Sequence, residues 1–253
     1  MTTKIICAYH RGAPQKFNSL VIKHPDIFVP VLGGSILNTN DVGFFRCMQR
    51  DDAGENISYL NPLFSENTVL YWAYKHYTEI GNPDIIGFCH YRRFFDVDYL
   101  GLDPNVVYLR RGHTVHPEWA RFNMHSFMGI PYTQLVMDEF VNDLPEYKEA
   151  VEMVLNDYNF FDKCMFIMKR PLFFELMKYM MRCYRVVQKD HIRSMLVNWM
   201  IEYPSGTIFD DICKRPSASY YLENMMAVFF TQLQLLGYPI HLTPLTEDSF
   251  NEY

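Results

Sequence analysis

Short unbroken apolar runs alternate with longer segments whose apolar residues recur at helical spacing. Lys4-Ile-Ile-Cys-Ala-Tyr9 is the first run, followed by a loop opened by His10-Arg11-Gly12. Residues 26–32 give a second run that ends at the Gly33-Gly34 breaker. Residues 50–62 hold little that could be core and read as a polar loop. Ser65 is the expected N-cap of a helix carrying Leu70, Tyr71, Tyr74 and Tyr77, closed by Gly81-Asn82-Pro83. Residues 84–90 read as a buried strand running into the charged end Tyr91-Arg92-Arg93. Residues 99–130 have weak periodicity and predict no element. Residues 132–155 predict a helix interrupted near Pro145. Cys164–Met168 predicts a strand stopped by Lys169-Arg170-Pro171. Residues 172–188, 190–202 and 220–236 predict helices, the last beginning near Glu223, and residues 238–242 a final short strand. Strands alternating with helices predict an α/β fold with a mostly parallel sheet.

Composition narrows the function classes. A chain of 253 residues, 49% hydrophobic, can bury one substantial core, and one domain is expected over 1–253. Within it, 1–98 is expected to form one functional half and 99–253 the other. The net charge of -6 and the lack of a long basic stretch exclude a duplex nucleic-acid footprint. The six cysteines form no Cys-x-x-Cys pair; Cys7, Cys89 and Cys164 sit in apolar runs and read as small buried hydrophobes of a reducing compartment. No apolar run reaches the length of a membrane span. A cytoplasmic protein is expected, with contact at a membrane surface left open.

In open α/β sheets ligands bind beyond the carboxyl ends of the strands. That rule points to Tyr9-His10-Arg11 and to His90-Tyr91-Arg92-Arg93. Arginine's planar fork grips phosphate with paired hydrogen bonds, so Arg92 and Arg93 fit a diphosphate clamp; an internal ion-pair hub uses the same residues. The loop Asp51-Asp52-Ala-Gly-Glu-Asn56-Ile-Ser58 offers carboxylates and an amide for a ribose or base, and reads equally as a solvated turn. Asp96-Val97-Asp98 supplies hard oxygen ligands suited to Mn2+ or Mg2+, although arginines could neutralise a diphosphate without metal. Glu223 fits either a general base or an acidic first-turn residue favoured by the helix dipole. His113, His116 and His125 lack a zinc-site pattern, and His125 alone could touch a substrate.

Residues 51–58, Asn61-Pro62, Ser65–Lys75 and Ile86–Phe94 follow one another in an order that resembles an uncharacterised-domain family of capsular and exopolysaccharide synthesis glycosyltransferases. Its hallmark is a His-Tyr-Arg-Arg-aromatic stretch preceded by a Glu-x-x-x-x-Tyr-Trp helix, both present here. Cys164–Lys169 is similar to that family's Asn-Met-Phe-Ile-Met-Lys strand, with Cys in place of Asn. Leu144-Pro-Glu-Tyr147 also fits, and Tyr221-Leu-Glu223 is similar to its Ser-Glu-Arg helix start, with Asn224 in place of Arg.

The resemblance implies a GT-A-like domain that transfers a sugar, galactofuranose or galactose in some relatives, from a nucleotide-diphosphate donor. UDP is the expected nucleotide, and a surface polysaccharide or lipid-linked glycan the expected acceptor. Residues 1–98 become the nucleotide-sugar half and 99–253 the acceptor half, working at the inner face of the plasma membrane. It places Tyr9, His10, Arg11, Asp51, Asp52, Asn56 and Ser58 at the donor, with Glu66, His90, Tyr91, Arg92 and Arg93. Trp72, His125 and Lys169 are expected on the acceptor side. The order of segments in inverting relatives makes Glu223 the first choice for catalytic base and Asp162 the alternative. A non-catalytic nucleotide-sugar or carbohydrate-binding module is the competing expectation, and a metal-dependent phosphoesterase built on Asp51, Asp52, Asp96, Asp98 and the histidines a third.

Overall fold

A computed structural model describes residues 1–37, 43–110, 130–156, 164–194 and 217–246. Among them the strands are β1 Thr3–Tyr9, β2 Phe28–Leu32, β3 Gln49–Arg50, β4 Ile85–His90, β5 Val107–Arg110, β6 Phe166–Lys169 and β7 Ile240–Thr243. The α-helices are α1 Ser19–Lys23, α2 Asn61–Phe64, α3 Asn67–Lys75, α4 Ile130–Asp143, α5 Lys148–Asn156, α6 Arg170–Gln188 and α7 Ser217–Leu235. Two compact units emerge. One comprises 1–111, 163–175 and 239–253 and carries the whole sheet; the other comprises 112–162 and 176–238 and is helical in its described residues.

The seven strands lie in the order β3-β2-β1-β4-β6-β5-β7. β1 pairs in parallel with β2 and β4, β2 with β3, and β5 with β7, so the expected mostly parallel α/β sheet is present. β6 is the exception, antiparallel to both β4 and β5. Near-continuous burial of Ile5, Ile6, Cys7 and Ala8 explains why β1 reads as an unbroken apolar run. A central parallel strand is covered on both faces. Ile5, Cys7 and Tyr9 join a cluster with Phe28, Phe94, Phe95 and Tyr99; Ile6 and Ala8, at alternate positions, face the other side of the sheet.

Gly87, in the middle of β4, fits because it lacks a side chain. A Cβ there would stand 2.5 Å from Ile5 Cδ1, 2.9 Å from Ile167 Cγ1 and 3.1 Å from the Phe166 carbonyl oxygen. Cys7 and Cys89, paired across β1 and β4, bring their sulfurs within 3.1 Å in the core. Burial first, then the neighbouring thiol, raises the Cys7 pKa well above its ordinary value.

Several boundaries differ from the sequence reading. Ser65 is not the N-cap of α3: it adopts φ 51 after α2, and Glu66 takes the cap position without a side-chain bond. α3 ends at Lys75, before the Gly81 breaker, with His76 as its C-cap leaving the helical conformation at φ -104 and ψ 27. β6 stops at Lys169 as expected, but Arg170 and Pro171 already belong to the first turn of α6, where a missing N–H costs nothing. α7 begins at Ser217, which puts Glu223 in its second turn and removes the first-turn dipole explanation for that residue.

The helical unit is held by apolar faces at helical spacing. Leu176, Met177, Met180, Cys183, Tyr184 and Val187 of α6 are buried, as are Val136, Phe140, Val151 and Val154. The Tyr179 hydroxyl donates to the Met225 carbonyl at 2.8 Å, with its ring 4.6 Å from Tyr147 and 5.4 Å from Phe229. No helix among the described residues is long and apolar enough to cross a membrane.

Candidate functional site

A cleft opens in the sheet-bearing unit at the carboxyl ends of β1 and β4. Ala8, Tyr9, His10, Gly33, Asn61, Ser65, Glu66, Val69, His90 and Tyr91 line about 100 Å³ of space. Parallel strands that end side by side leave such a crevice between their outgoing loops. Five of the expected donor residues meet here: Tyr9, His10, Glu66, His90 and Tyr91.

Aromatic contacts set the lining. The Tyr91 ring packs 5.7 Å from Tyr9 and meets His10 edge-on, with centroids 5.0 Å apart at 82°. The Arg92 guanidinium lies 5.6 Å from the Tyr91 ring centre, a cation–π distance. Removal from water lowers the His10 pKa below the ordinary imidazole value. The Arg92 charge pushes the same way, and the Glu66 carboxylate opposes both. Together these favour the neutral ring.

The loop 51–58 has a different job from the one expected. Asp51 is fully buried, and both its oxygens are occupied. Oδ2 accepts from the Gly34 amide at 2.9 Å and the Thr68 hydroxyl at 2.7 Å; Oδ1 accepts from the Ser35 amide at 2.9 Å and the Ser58 hydroxyl at 2.5 Å. A carboxylate so enclosed braces the Gly33-Gly34 turn and has no oxygen left for a ligand. Ser58 is spent in the same network. Asp52 takes a bidentate grip from Arg50, with Nε to Oδ1 at 3.0 Å and Nη2 to Oδ2 at 2.8 Å. Asn56 ties the loop to itself by donating to the Asp52 and Gly54 carbonyls at 2.9 and 2.8 Å. Arg11 donates to the Gly34 and Ser35 carbonyls at 3.2 and 3.5 Å, pinning the same turn from outside.

The acceptor-side expectations also change. Trp72 is buried and stacks on His76 at 5.2 Å, so its ring serves packing. Lys169 pairs with Ile85 in the antiparallel β4–β6 ladder. That register puts Lys169 at the opposite end of the sheet from the cleft, about 17 Å along β4 at strand rise. The reversal of β6 is the cause, since a parallel strand would have carried its last residues to the cleft end. The β6 end nearest the cleft is instead its entry: continuing the register sets buried Cys164, at φ 52, opposite His90.

Asp96 and Asp98 are exposed and lie outside the cleft lining. Asp98 accepts the Leu100 amide at 3.0 Å in a local turn, and the Asp96 amide donates to the Pro244 carbonyl at 3.0 Å. No third His, Cys, Asp or Glu ligand joins them among the described residues. Two isolated carboxylates do not amount to a built Mn2+ or Mg2+ site. Arg93 forms a bridge with His90 at the end of β4. Glu223 belongs to the helical unit and is half-buried. His113, His116, His125 and Asp162 lie outside the described residues.

Sequence reasoning missed Asn61, Ser65, Gly33 and Val69 as cleft residues. Asn61 donates from Nδ2 to the Ser65 carbonyl and the Thr68 hydroxyl, both at 2.9 Å. Its Oδ1 would stand 2.7 Å from a Cβ on Gly34, which has φ +66, so only glycine fits. The Gly33-Gly34 breaker directly after an apolar run was the available signal.

This α/β sheet carries a cleft at its parallel strand ends, the place where open α/β sheets seat their ligands. Residues 4–104 match a family model described as "Domain of unknown function (DUF4422)". Among solved structures, the apo form of WbbM, a bifunctional glycosyltransferase, shares the fold with a TM-score of 0.67 at 18% identity. The match covers 97% of this chain and 45% of that one, so the chain spans about half the length of that protein. No curated protein matches the sequence.

Proposed function

We propose that this protein is a glycosyltransferase that moves a sugar from a nucleotide-diphosphate donor, UDP-linked, to a glycan or lipid-linked acceptor. The observation that carries the reading is the convergence of His10, Glu66, His90 and Tyr91 in one cleft at the carboxyl ends of β1 and β4. Arg92 supplies positive charge beside it. The likeness to WbbM supports the reading at the level of the fold.

In this proposal Tyr91 flanks the nucleoside, and Glu66 accepts from a donor hydroxyl. Arg92 and Arg93 offset charge on the diphosphate as the glycosidic bond breaks. Preorganised cationic donors at such a leaving group contribute on the order of 3 kcal/mol to the barrier. Glu223 is carried as the base that takes the proton from the attacking acceptor hydroxyl, giving inversion at the anomeric carbon. The transferred sugar is galactofuranose or galactose, the acceptor belongs to a surface polysaccharide, and the work is done at the inner face of the plasma membrane. Metal would be supplied with the donor, since Asp96 and Asp98 form no site by themselves.

The test is binding and transfer over a panel of UDP-, GDP-, dTDP- and CMP-sugars, with and without Mn2+. UDP-sugars are expected to bind, and Glu223→Gln is expected to cut transfer at least a hundredfold while leaving donor affinity intact. A chain that binds none of the donors is not a transferase of this kind. Binding without turnover over any acceptor would mark a non-catalytic module instead.

A further inference from the structure

His10 is held more firmly than a cleft-edge histidine needs to be. It follows the last residue of β1, and its Nδ1 accepts the backbone N–H of Gly12 at 3.0 Å. The approach is close: a Cβ on Gly12 would stand 3.1 Å from His10 Cε1 and Nδ1. The ring edge against Tyr91 fixes the ring plane as well. An imidazole whose Nδ1 is an acceptor and which stays neutral must carry its proton on Nε2. Partial removal from water and the Arg92 charge favour the neutral ring. Nε2 is the atom furthest from the backbone, and it has no hydrogen-bond partner among the described residues. His10 and Glu66 share the cleft wall.

We propose that His10 is a fixed-tautomer hydrogen-bond donor whose Nε2–H reads a neutral oxygen, a carbonyl or hydroxyl, on the nucleoside bound in the cleft. This deepens the reading of the cleft as a nucleotide-sugar site and rests on it. The choice of a neutral acceptor follows from the company His10 keeps. Glu66 is close enough to act on the His10 charge, and a carboxylate there repels a phosphate and accepts a hydroxyl. One fixed donor beside one fixed acceptor suits an uncharged polar edge. Arg92, on the far side of His10's electrostatic balance, is left for the anionic part of the same ligand. The Gly12 amide thus sets the chemistry of the opposite ring nitrogen. If Nδ1 were protonated, its N–H would face the Gly12 N–H and that amide would lose its acceptor.

Two measurements on the full chain test this. Long-range 15N NMR at pH 7, with His10 assigned by loss of its resonances in His10→Gln, is expected to show the Nε2–H tautomer. An Nδ1–H tautomer or a cationic ring overturns the inference without reference to any ligand. Calorimetric titration with uridine and with UDP then compares wild type, His10→Ala and His10→Gln. His10→Ala is expected to weaken both ligands by about tenfold, the worth of one hydrogen bond. His10→Gln, whose amide nitrogen reaches near the Nε2 position, is expected to recover most of that loss. A loss seen with UDP alone moves the acceptor to phosphate and overturns the assignment. No loss with either ligand, while Glu66→Gln still weakens them, overturns the inference and leaves the nucleotide-sugar reading standing. Failure of wild type to bind either ligand overturns both.

Discussion

Asp51 and Asp52 are adjacent, both acidic and both in a polar loop, yet they do different things. Asp51 is a buried brace for the cleft wall; Asp52 is paired with Arg50 beside it. Nothing in the letters Asp-Asp-Ala-Gly separates the two, because burial depends on the Gly33-Gly34 turn arriving from elsewhere in the chain. Asp51→Asn keeps the shape but replaces one acceptor oxygen with an NH2 that faces donors. Charge-assisted bonds of this kind are worth about 1.5–3 kcal/mol each, and the clash adds to the loss. A destabilisation of about 3 kcal/mol is expected, a fall of roughly 10 °C in Tm for a chain of this size. Thermal unfolding of the variant measures it; a change of a degree or two would mean that the four bonds are dispensable.

The strands with continuous apolar runs, β1 and β4, were legible because burial on both faces leaves a plain signal. β5 was not. It spans only Val107–Arg110 and pairs with β6 and β7, partners that are distant in sequence, so its four residues carry no period of their own. The direction of β6 was equally hidden, since an apolar run reads the same both ways, and this misplaced Lys169. The cleft fared better: His10, His90 and Tyr91 follow from the rule that ligands gather at strand carboxyl ends, and Glu66 from the family resemblance alone. Asn61 and Ser65 could not be found that way, because their roles come from bonds to each other and to Thr68. Gly87 gives this element-level account a direct test. Gly87→Ala forces a methyl against Ile5 and Ile167 across both neighbouring strands. The expected cost is about 1–3 kcal/mol of overpacking, read from denaturant unfolding of the variant. A neutral or stabilising result would show that β1 and β6 can spread around β4.

The sheet as a whole has two ends with different chemistry, and the antiparallel entry of β6 decides which residues belong to which. The carboxyl ends of β1 and β4 carry His10, Glu66, His90 and Tyr91; the opposite end carries Lys169 and Asp84, whose Oδ2 accepts the Thr2 amide at 2.8 Å. That bond, the largest cause, helps hold the Asp84 pKa below the usual carboxylate range, a mark of structural use at that end. A ligand seated in the cleft cannot touch both ends, because about 17 Å of strand separates them. Charge removal should therefore separate them as well. Glu66→Gln is expected to weaken UDP-sugar binding by about tenfold, since a carboxylate that accepts a ligand hydroxyl contributes at the level of one charge-assisted bond. Lys169→Ala is expected to leave the same affinity within about twofold, because at that distance in salt its charge is screened. Titration of both variants with one UDP-sugar at about 0.15 M salt makes the comparison. Equal losses in the two variants would mean that the ligand does not sit where the strand ends converge. A loss confined to Lys169→Ala would move the site to the other end of the sheet.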